Sequence, residues 1–451
     1  MAKKKQIELT IEEKLQNALV PKEEQPYKIP SNWCWTRWGN LSNNIQYGVN
    51  TPATTEGNAR LVRISDIQEN KIIWDKVPYC NIDDKLVEQY LIKENDILFA
   101  RTGGTVGKSV MAIDVISNAV FAGYLIRSNY SKKLNGKYLK YFMESELYWT
   151  QLKIGTTATA QPNCNGKTLG KMVFPLSPIK EQQRIVNIIE SLFAKLDRAK
   201  ELIENTLAQF EQNKMAILHK AFTGELTAKW RKENNIDLSS WEKIKLGKVL
   251  LPMQTKKPTG QFFRYIDIDA IDNKRQIVKA PKLILTEKAP SRASRGVETG
   301  NILFSMVRPY LKNIAQIDSD LSDCIASTGF YVCRCKPELN SRFLYYLFIF
   351  DKTIDYLMQF MKGDNSPSIR KDDLLNMKID LPTIEEQQEI VNILDNLLAK
   401  YNKIKNLEQQ LEKIELLKKA ILAKAFRGEL GTNNPDEESA ENLLKEILAE
   451  K

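Results

Sequence analysis

The chain has 451 residues, 43% of them hydrophobic and 27% charged, with a formal net charge of +10. That length allows two or more domains with separate cores, and no stretch approaches the ~18 apolar residues of a membrane span. The single histidine, His219, argues against metal centres and nucleophile–histidine chemistry, which usually need more than one imidazole.

From the N-terminus, Met1-Ala2-Lys3-Lys4-Lys5 is basic with no apolar run behind it, so it does not read as a secretory signal. Residues 1–30 are expected to form an N-terminal helical segment. Residues 31–178 hold 17 basic and 12 acidic side chains. Their short β-rich runs, broken by Gly, Pro and Asn and joined by one or two helices, predict a mixed α/β domain. Within it, Arg101-Thr102-Gly103-Gly104-Thr105-Val106-Gly107-Lys108-Ser109 follows a predicted strand and looks like a phosphate-binding loop. The nucleotide-binding pattern needs glycine five positions before Gly107, where Thr102 stands. A Gly-rich basic loop touching DNA phosphates or bases fits better.

Residues 179–230 predict a central helix. Ile185, Ile189, Leu192, Leu196, Ala199 and Ile203 recur at alternating spacings of four and three, the seam of a coiled coil. His219 is expected on a solvated face of this helix. Residues 231–382 predict a second mixed α/β domain; its span 238–382 holds 23 basic and 16 acidic side chains. Two separate basic blocks point to two polyanion-facing surfaces. Residues 383–430 form a second helix, with Ile390, Leu394, Leu397, Tyr401 and Ile404 in its seam and a phase slip near Leu407. Each helix is expected to run ~40 residues, roughly 60 Å, and to pair with the other. Residues 431–451 are a tail with a short helix.

The chain repeats itself. EQQRIVNIIESLFAKLDRAKEL at 181–202 returns as EQQEIVNILDNLLAKYNKIKNL at 386–407, with 12 of 22 positions identical. AILHKAFTGEL at 216–226 returns as AILAKAFRGEL at 420–430. Between the helices, Trp33 and Gly39 are echoed by Trp241 and Gly247, and Asn95-Asp96-Ile97-Leu98-Phe99 by Gly300-Asn301-Ile302-Leu303-Phe304. Asn135 before an aromatic helix is echoed by Asn340. The loops between these anchors share almost nothing. Like helices and scaffolds imply pseudo-twofold symmetry, and unlike loops imply that each half binds something different. Duplex DNA fits, because its backbone is symmetric under strand exchange while its bases need not be.

Candidate catalysis is sparse. There is no Asp/Asn-Pro-Pro-aromatic motif, no Phe-x-Gly-x-Gly segment and no clear carboxylate cluster for a metal-dependent nuclease. The six cysteines, Cys34, Cys80, Cys164, Cys324, Cys333 and Cys335, include no C-x-x-C pair and read as reduced packing residues, which suggests the cytoplasm. The seven tryptophans are expected mostly in cores.

The helix openings Pro-Ile-Lys-Glu-Gln-Gln-Arg-Ile-Val (178–186) and Thr-Ile-Glu-Glu-Gln-Gln-Glu-Ile-Val (383–391), and the endings Lys-Ala-Phe-Thr-Gly-Glu-Leu (220–226) and Lys-Ala-Phe-Arg-Gly-Glu-Leu (424–430), resemble the conserved regions of type I restriction–modification specificity subunits. Asn-Asp-Ile-Leu-Phe-Ala-Arg-Thr-Gly (95–103) and Gln161-Pro162-Asn163 look like that family's target-recognition domains. The resemblance implies an α+β fold: two mixed α/β target-recognition domains separated by two long antiparallel coiled-coil helices, with an internal pseudo-twofold repeat. It implies a non-catalytic subunit that reads a bipartite, asymmetric double-stranded DNA target. Two methyltransferase subunits and the restriction subunits would bind it and carry the S-adenosylmethionine, ATP and Mg. No cofactor is expected in this chain, and no membrane. The DNA-facing candidates are Arg101, Thr102, Gly103, Thr105, Lys108, Gln161 and Asn163 in the first domain. In the second they are Arg308, Tyr310, Lys312, Asn313, Asn365, Ser366 and Arg370. Gln182, Gln183, Phe222, Gln387, Gln388 and Phe426 are the candidates for partner subunits. The alternative is a free-standing sequence-specific DNA-binding regulator whose helices serve only as a spacer.

Overall fold

In a computed structural model, residues 9–156, 163–402 and 405–451 are described. They form two units: one holds residues up to Glu201 together with Gln410–Lys451, the other Leu202–Gln409.

Both units are built on the same plan. In the first, Cys34–Arg37 pairs antiparallel with Val173–Leu176 and so closes the domain. A four-stranded antiparallel sheet runs in the order Ser42–Tyr47, Leu125–Tyr130, Ile97–Ala100, Ser109–Met111. In the second unit, Glu242–Lys245 pairs with Lys378–Leu381. Its sheet runs Leu250–Leu251, Phe330–Cys335, Ile302–Ser305, Ile314–Gln316. A mixed sheet accompanies each, smaller with three strands in the first unit and four-stranded in the second. Ala59–Val62 is central and parallel to Ala119–Phe121 in one, as Phe262–Ile266 is to Ile325–Ser327 in the other. The run Ile97-Leu98-Phe99-Ala100 is apolar throughout because both its faces are covered. Ile97 and Phe99 enter the core against the helices, and Leu98 and Ala100 the core toward the smaller sheet. Ile302 and Phe304 against Leu303 divide in the same way.

The central helix is Ile179–Phe222, 44 residues long. Gly224, at φ +80, ends it, and a short helix, Ala228–Glu233, follows. The second copy is seen as Ile384–Asn402 and Lys405–Arg427. Ile404 falls outside the described residues, as does the other residue between those two helices. In the first unit, Ile185, Val186 and Ile189 pack with Leu422, Ala425 and Phe426. Ion pairs join Asp197 to Lys418 at 2.5 Å and Lys200 to Glu415 at 3.4 Å. Numbers rise on one helix as they fall on the other, so the pairing is antiparallel. In the second unit, Leu218 and Ala221 share a core with Ile390, Val391 and Leu394. His219 is half-buried rather than solvated, its ring 6.2 Å from that of Phe350. Trp33, Trp35 and Trp38 are buried, and Trp149 is exposed. Among the described residues no helix is long and apolar enough to cross a membrane.

The Glu-Gln-Gln triplet that opens each helix ties it to its domain. Glu181 is fully buried and accepts from Trp33 Nε1 at 2.7 Å, Thr432 Oγ1 at 3.0 Å and Asn433 Nδ2 at 3.0 Å. Glu386 is fully buried and accepts from Trp241 Nε1 at 2.9 Å, Thr227 Oγ1 at 2.6 Å and the Arg231 guanidinium. Gln182 Oε1 accepts from the Asn135 backbone at 3.0 Å, and Gln387 Oε1 from that of Asn340 at 2.8 Å. Gln183 and Gln388 accept from the Asn135 and Asn340 side chains at 2.8 and 2.9 Å. Asn135 and Asn340 in turn cap the aromatic helices Gly136–Phe142 and Ser341–Ile349.

Removing one member of a buried ion pair strands the other. Arg231 is 8% exposed in its side chain and Glu386 0%, so Glu386→Ala should destabilise the second unit by about 3–5 kcal/mol. Urea unfolding would measure this, and a loss under about 1 kcal/mol would show that water replaces the carboxylate.

Candidate nucleic-acid interface

In each domain the strand at the centre of the sheet runs out into a tight loop. In the first, Val106 N donates to Gly103 O at 3.1 Å and Gly107 N to Ala100 O at 2.9 Å. Gly103 and Gly107 lie at φ +77 and +89. A Cβ at Gly107 would stand 2.0 Å from Leu152 Cδ2, whereas one at Gly103 would meet nothing within 4 Å. A second segment lies alongside: Cys164 N donates to Arg101 O at 2.9 Å, and Thr102 bridges Asn163. The Arg101 guanidinium sits over the Tyr47 ring, 4.9 Å from its centroid, and its Nε has no hydrogen-bond partner among the described residues. Tyr124, 64% exposed, accepts the Arg101 N–H through its carbonyl at 3.1 Å. Gly103, Gly104, Lys108 and Asn163 are exposed, and Thr102 and Thr105 half-buried. Gln161 lies outside the described residues. Burial pushes the nearby Cys164 thiol up to about 12, so it stands there as a neutral packing group.

The second domain repeats this backbone with other side chains. Counted from the equivalent strands, Met306 takes the place of Arg101, Arg308 that of Gly103 and Lys312 that of Gly107. Arg308 and Lys312 lie at φ +47 and +51, the same left-handed region as those glycines. Ile369 N donates to Met306 O at 3.0 Å, matching Cys164 and Arg101. Val307 bridges Ser368, and Leu311 N donates to Arg308 O at 2.9 Å. Arg308 is exposed, with its N bonded to Pro367 O and its Nη2 to Asn365 O, both at 2.8 Å. Asn365, Ser366 and Arg370 are exposed, as is Tyr310.

Two of the DNA-facing candidates, Lys312 and Asn313, have partners within their own domain. The Lys312 ammonium pairs with Asp351 and donates to Ile349 O at 3.2 Å, and Asn313 is buried, its carbonyl accepting from Ser305 N. Both hold the loop down. The partner-facing candidates are placed as follows. Gln182, Gln387 and Phe426 are buried and Phe222 is half-buried, so their surfaces are spent inside their own units. Gln183 and Gln388 are exposed, but each also donates to an asparagine one turn on, Asn187 or Asn392, at 2.8 and 2.9 Å. The residues that the sequence did not single out are Tyr47, Tyr124, Leu311 and Lys362. Nothing in their local patterns distinguishes them, since strand register and loop packing bring them to the site.

The type I restriction modification DNA specificity domain is the family whose sequence model matches this chain, over residues 54–209 and 241–416. The EcoBI specificity subunit of Escherichia coli, from a type I restriction enzyme, is 28% identical over 355 residues, covering 70% of this chain and 72% of that one. Among solved structures, the HsdS subunit from Thermoanaerobacter tengcongensis aligns with a TM-score of 0.53 at 21% identity, over 90% of this chain and 100% of that one. A chain from a structure addressing complex assembly and conformational transition of the type I R-M system aligns with a TM-score of 0.67 at 21% identity, over the same shares. At that identity the structural likenesses speak for the fold. The chain belongs to the type I restriction–modification DNA specificity family. Its part is that of a specificity subunit, which is recognition rather than catalysis.

The two glycines give separable stability effects. Gly103→Ala meets only the left-handed backbone penalty, about 1–2 kcal/mol. Gly107→Ala must also displace Leu152 and Trp149, for a total of roughly 2–5 kcal/mol. Thermal unfolding of the two variants should rank them in that order, and equal losses would mean that the packing around Gly107 yields freely.

Proposed function

We propose that this chain selects the DNA target of a type I restriction–modification complex. It reads a bipartite, asymmetric sequence, one half with each domain, and it scaffolds two methyltransferase subunits and the restriction subunits. The observation that carries this is the pair of loops at residues 101–108 and 306–313. They have the same left-handed positions and the same backbone bond to a neighbouring segment, yet almost no side chain in common. A shared frame with different side chains suits a ligand whose backbone repeats while its bases vary. S-adenosylmethionine, ATP and Mg would act on the partner subunits, and the complex would work in the cytoplasm. Methyltransferases take the target adenine out of the stack, and this chain would decide which adenine that is.

The test is to sequence methylated adenines in the host with and without the gene, and then with residues 238–382 exchanged for the matching domain of a relative. One half of the target should change and the other stay. A change in both halves would end the modular reading. Within the first domain, Arg101→Ala should relax selectivity at one base and cost about 1–3 kcal/mol there. If affinity falls equally for all sequences, Arg101 touches only phosphate.

A further inference from the structure

The loop of the second domain differs from that of the first in what it holds outward. Its tip carries Tyr310 and Leu311, 42% and 38% exposed. At the equivalent places the first domain has Thr105 and Val106, and Val106 packs onto the core. Two apolar side chains side by side in water, on a loop otherwise rich in charge, call for a reason.

The tip is also rigid. Pro309 is buried and opens the turn. Lys312 ties its far end to Asp351 and Ile349 O, Arg308 ties its near end to Asn365 O and Pro367 O, and Asn273 Nδ2 holds the Leu311 carbonyl at 3.0 Å. Arg308 and Lys312 keep left-handed conformations that the first domain gives to glycine. A free solvated loop would relax that strain, so the surrounding bonds must hold it. The tip therefore keeps an aromatic ring and a branched aliphatic chain in fixed positions, with the exposed cations Arg308, Lys362 and Arg370 on the same two loop segments or just beyond them.

Resting on the function proposed above, we infer that Tyr310 and Leu311 form a wedge that enters between stacked base pairs in the half-site read by the second domain. Apolar side chains inserted at a base step unstack it, and the deformation energy depends on the sequence being opened. Neighbouring cations offset phosphate repulsion as the tip enters. The first domain has no such tip: Gly103 and Gly104 offer only backbone, and Arg101 is poised for hydrogen bonding. The two half-sites are thus read in different ways, one through base edges and one in part through how easily a step opens.

The experiment uses the complex of this chain with its methyltransferase partner. The probe is a duplex of the mapped target with 2-aminopurine at successive positions of the second domain's half-site. Binding should raise the fluorescence several-fold at one step other than the methylated adenine. The adenine itself leaves the stack in the methyltransferase and serves as the internal reference. The double variant Tyr310→Ala with Leu311→Ala should abolish the rise at that step and weaken binding roughly tenfold, with thermal unfolding unchanged because both side chains are exposed. Tyr310→Phe should keep both the rise and the affinity. A rise that persists in the double variant overturns the wedge. So does weakened binding with no rise in the parent complex, which would make Tyr310 a groove contact and leave the functional reading standing. If the parent complex shows no sequence preference at all, the functional reading fails and the wedge with it.

Discussion

Two buried carboxylates, Glu181 and Glu386, organise the molecule. Each sits in the first turn of a long helix, with no surface open to solvent, and each receives an indole N–H from the start of its domain. Each also receives a hydroxyl from a threonine beyond the end of the other helix copy, Thr432 or Thr227. Glu181 therefore ties together the stretches around Trp33, its own helix and Thr432, and Glu386 those around Thr227, Trp241 and its own helix, each within one unit. A buried carboxylate is tolerable only when fully paired, so the three stretches must arrive together. The glutamines that follow complete the joint through the asparagine caps of the aromatic helices. That is why identity between the two copies is densest here. A core isoleucine can give way to leucine at small cost, whereas a buried amide or carboxylate with every bond assigned has no substitute of the same shape and charge.

The loops at residues 101–108 and 306–313 follow the opposite rule. The bonds that fix them, Cys164 N to Arg101 O and Ile369 N to Met306 O, are backbone bonds indifferent to side chain. Left-handed positions recur at the same two places in both loops, as glycine in one and as Arg308 and Lys312 in the other. An arginine or lysine there costs about 1–2 kcal/mol each. In the second domain that cost is offset by new bonds to Asp351 and Asn365, which stiffen the loop as they stabilise it.

Much of this was legible in the sequence, for identifiable reasons. The internal repeat, the coiled-coil seams and strands such as Ile97–Ala100 follow from periodicity, which needs no knowledge of the partner surface. The direction of polar side chains does not. Gln182 and Gln387 look like solvated residues on a helix and are buried, because their partners, Ser177 O, Pro382 O and the caps at Asn135 and Asn340, lie 5 to about 50 residues away. Charge alone groups Lys312 with Lys108 and Arg101. Strand register sets Lys312 against Gly107 instead, and its ammonium reaches a helix that sequence spacing does not bring near it. Tyr47 and Leu311 carry no local signal at all, since one faces Arg101 across a sheet and the other depends on a strained turn.

The joint and the loop lie on different elements, and this separation has a consequence for how such a subunit can change. The strand Ile302–Ser305 has its apolar side chains in the cores, and the loop begins only where the last of them, Phe304, has been buried. Within the loop, Arg308, Tyr310 and Leu311 are exposed, whereas Met306 still packs against the core. The scaffold thus constrains the path of the backbone and leaves the outward side chains free to vary. Where a new side chain demands strain, as Arg308 does, the compensating bonds form within the loop and its neighbour rather than in the core. The loop surface can then be remade locally while the structure that presents it keeps its stability.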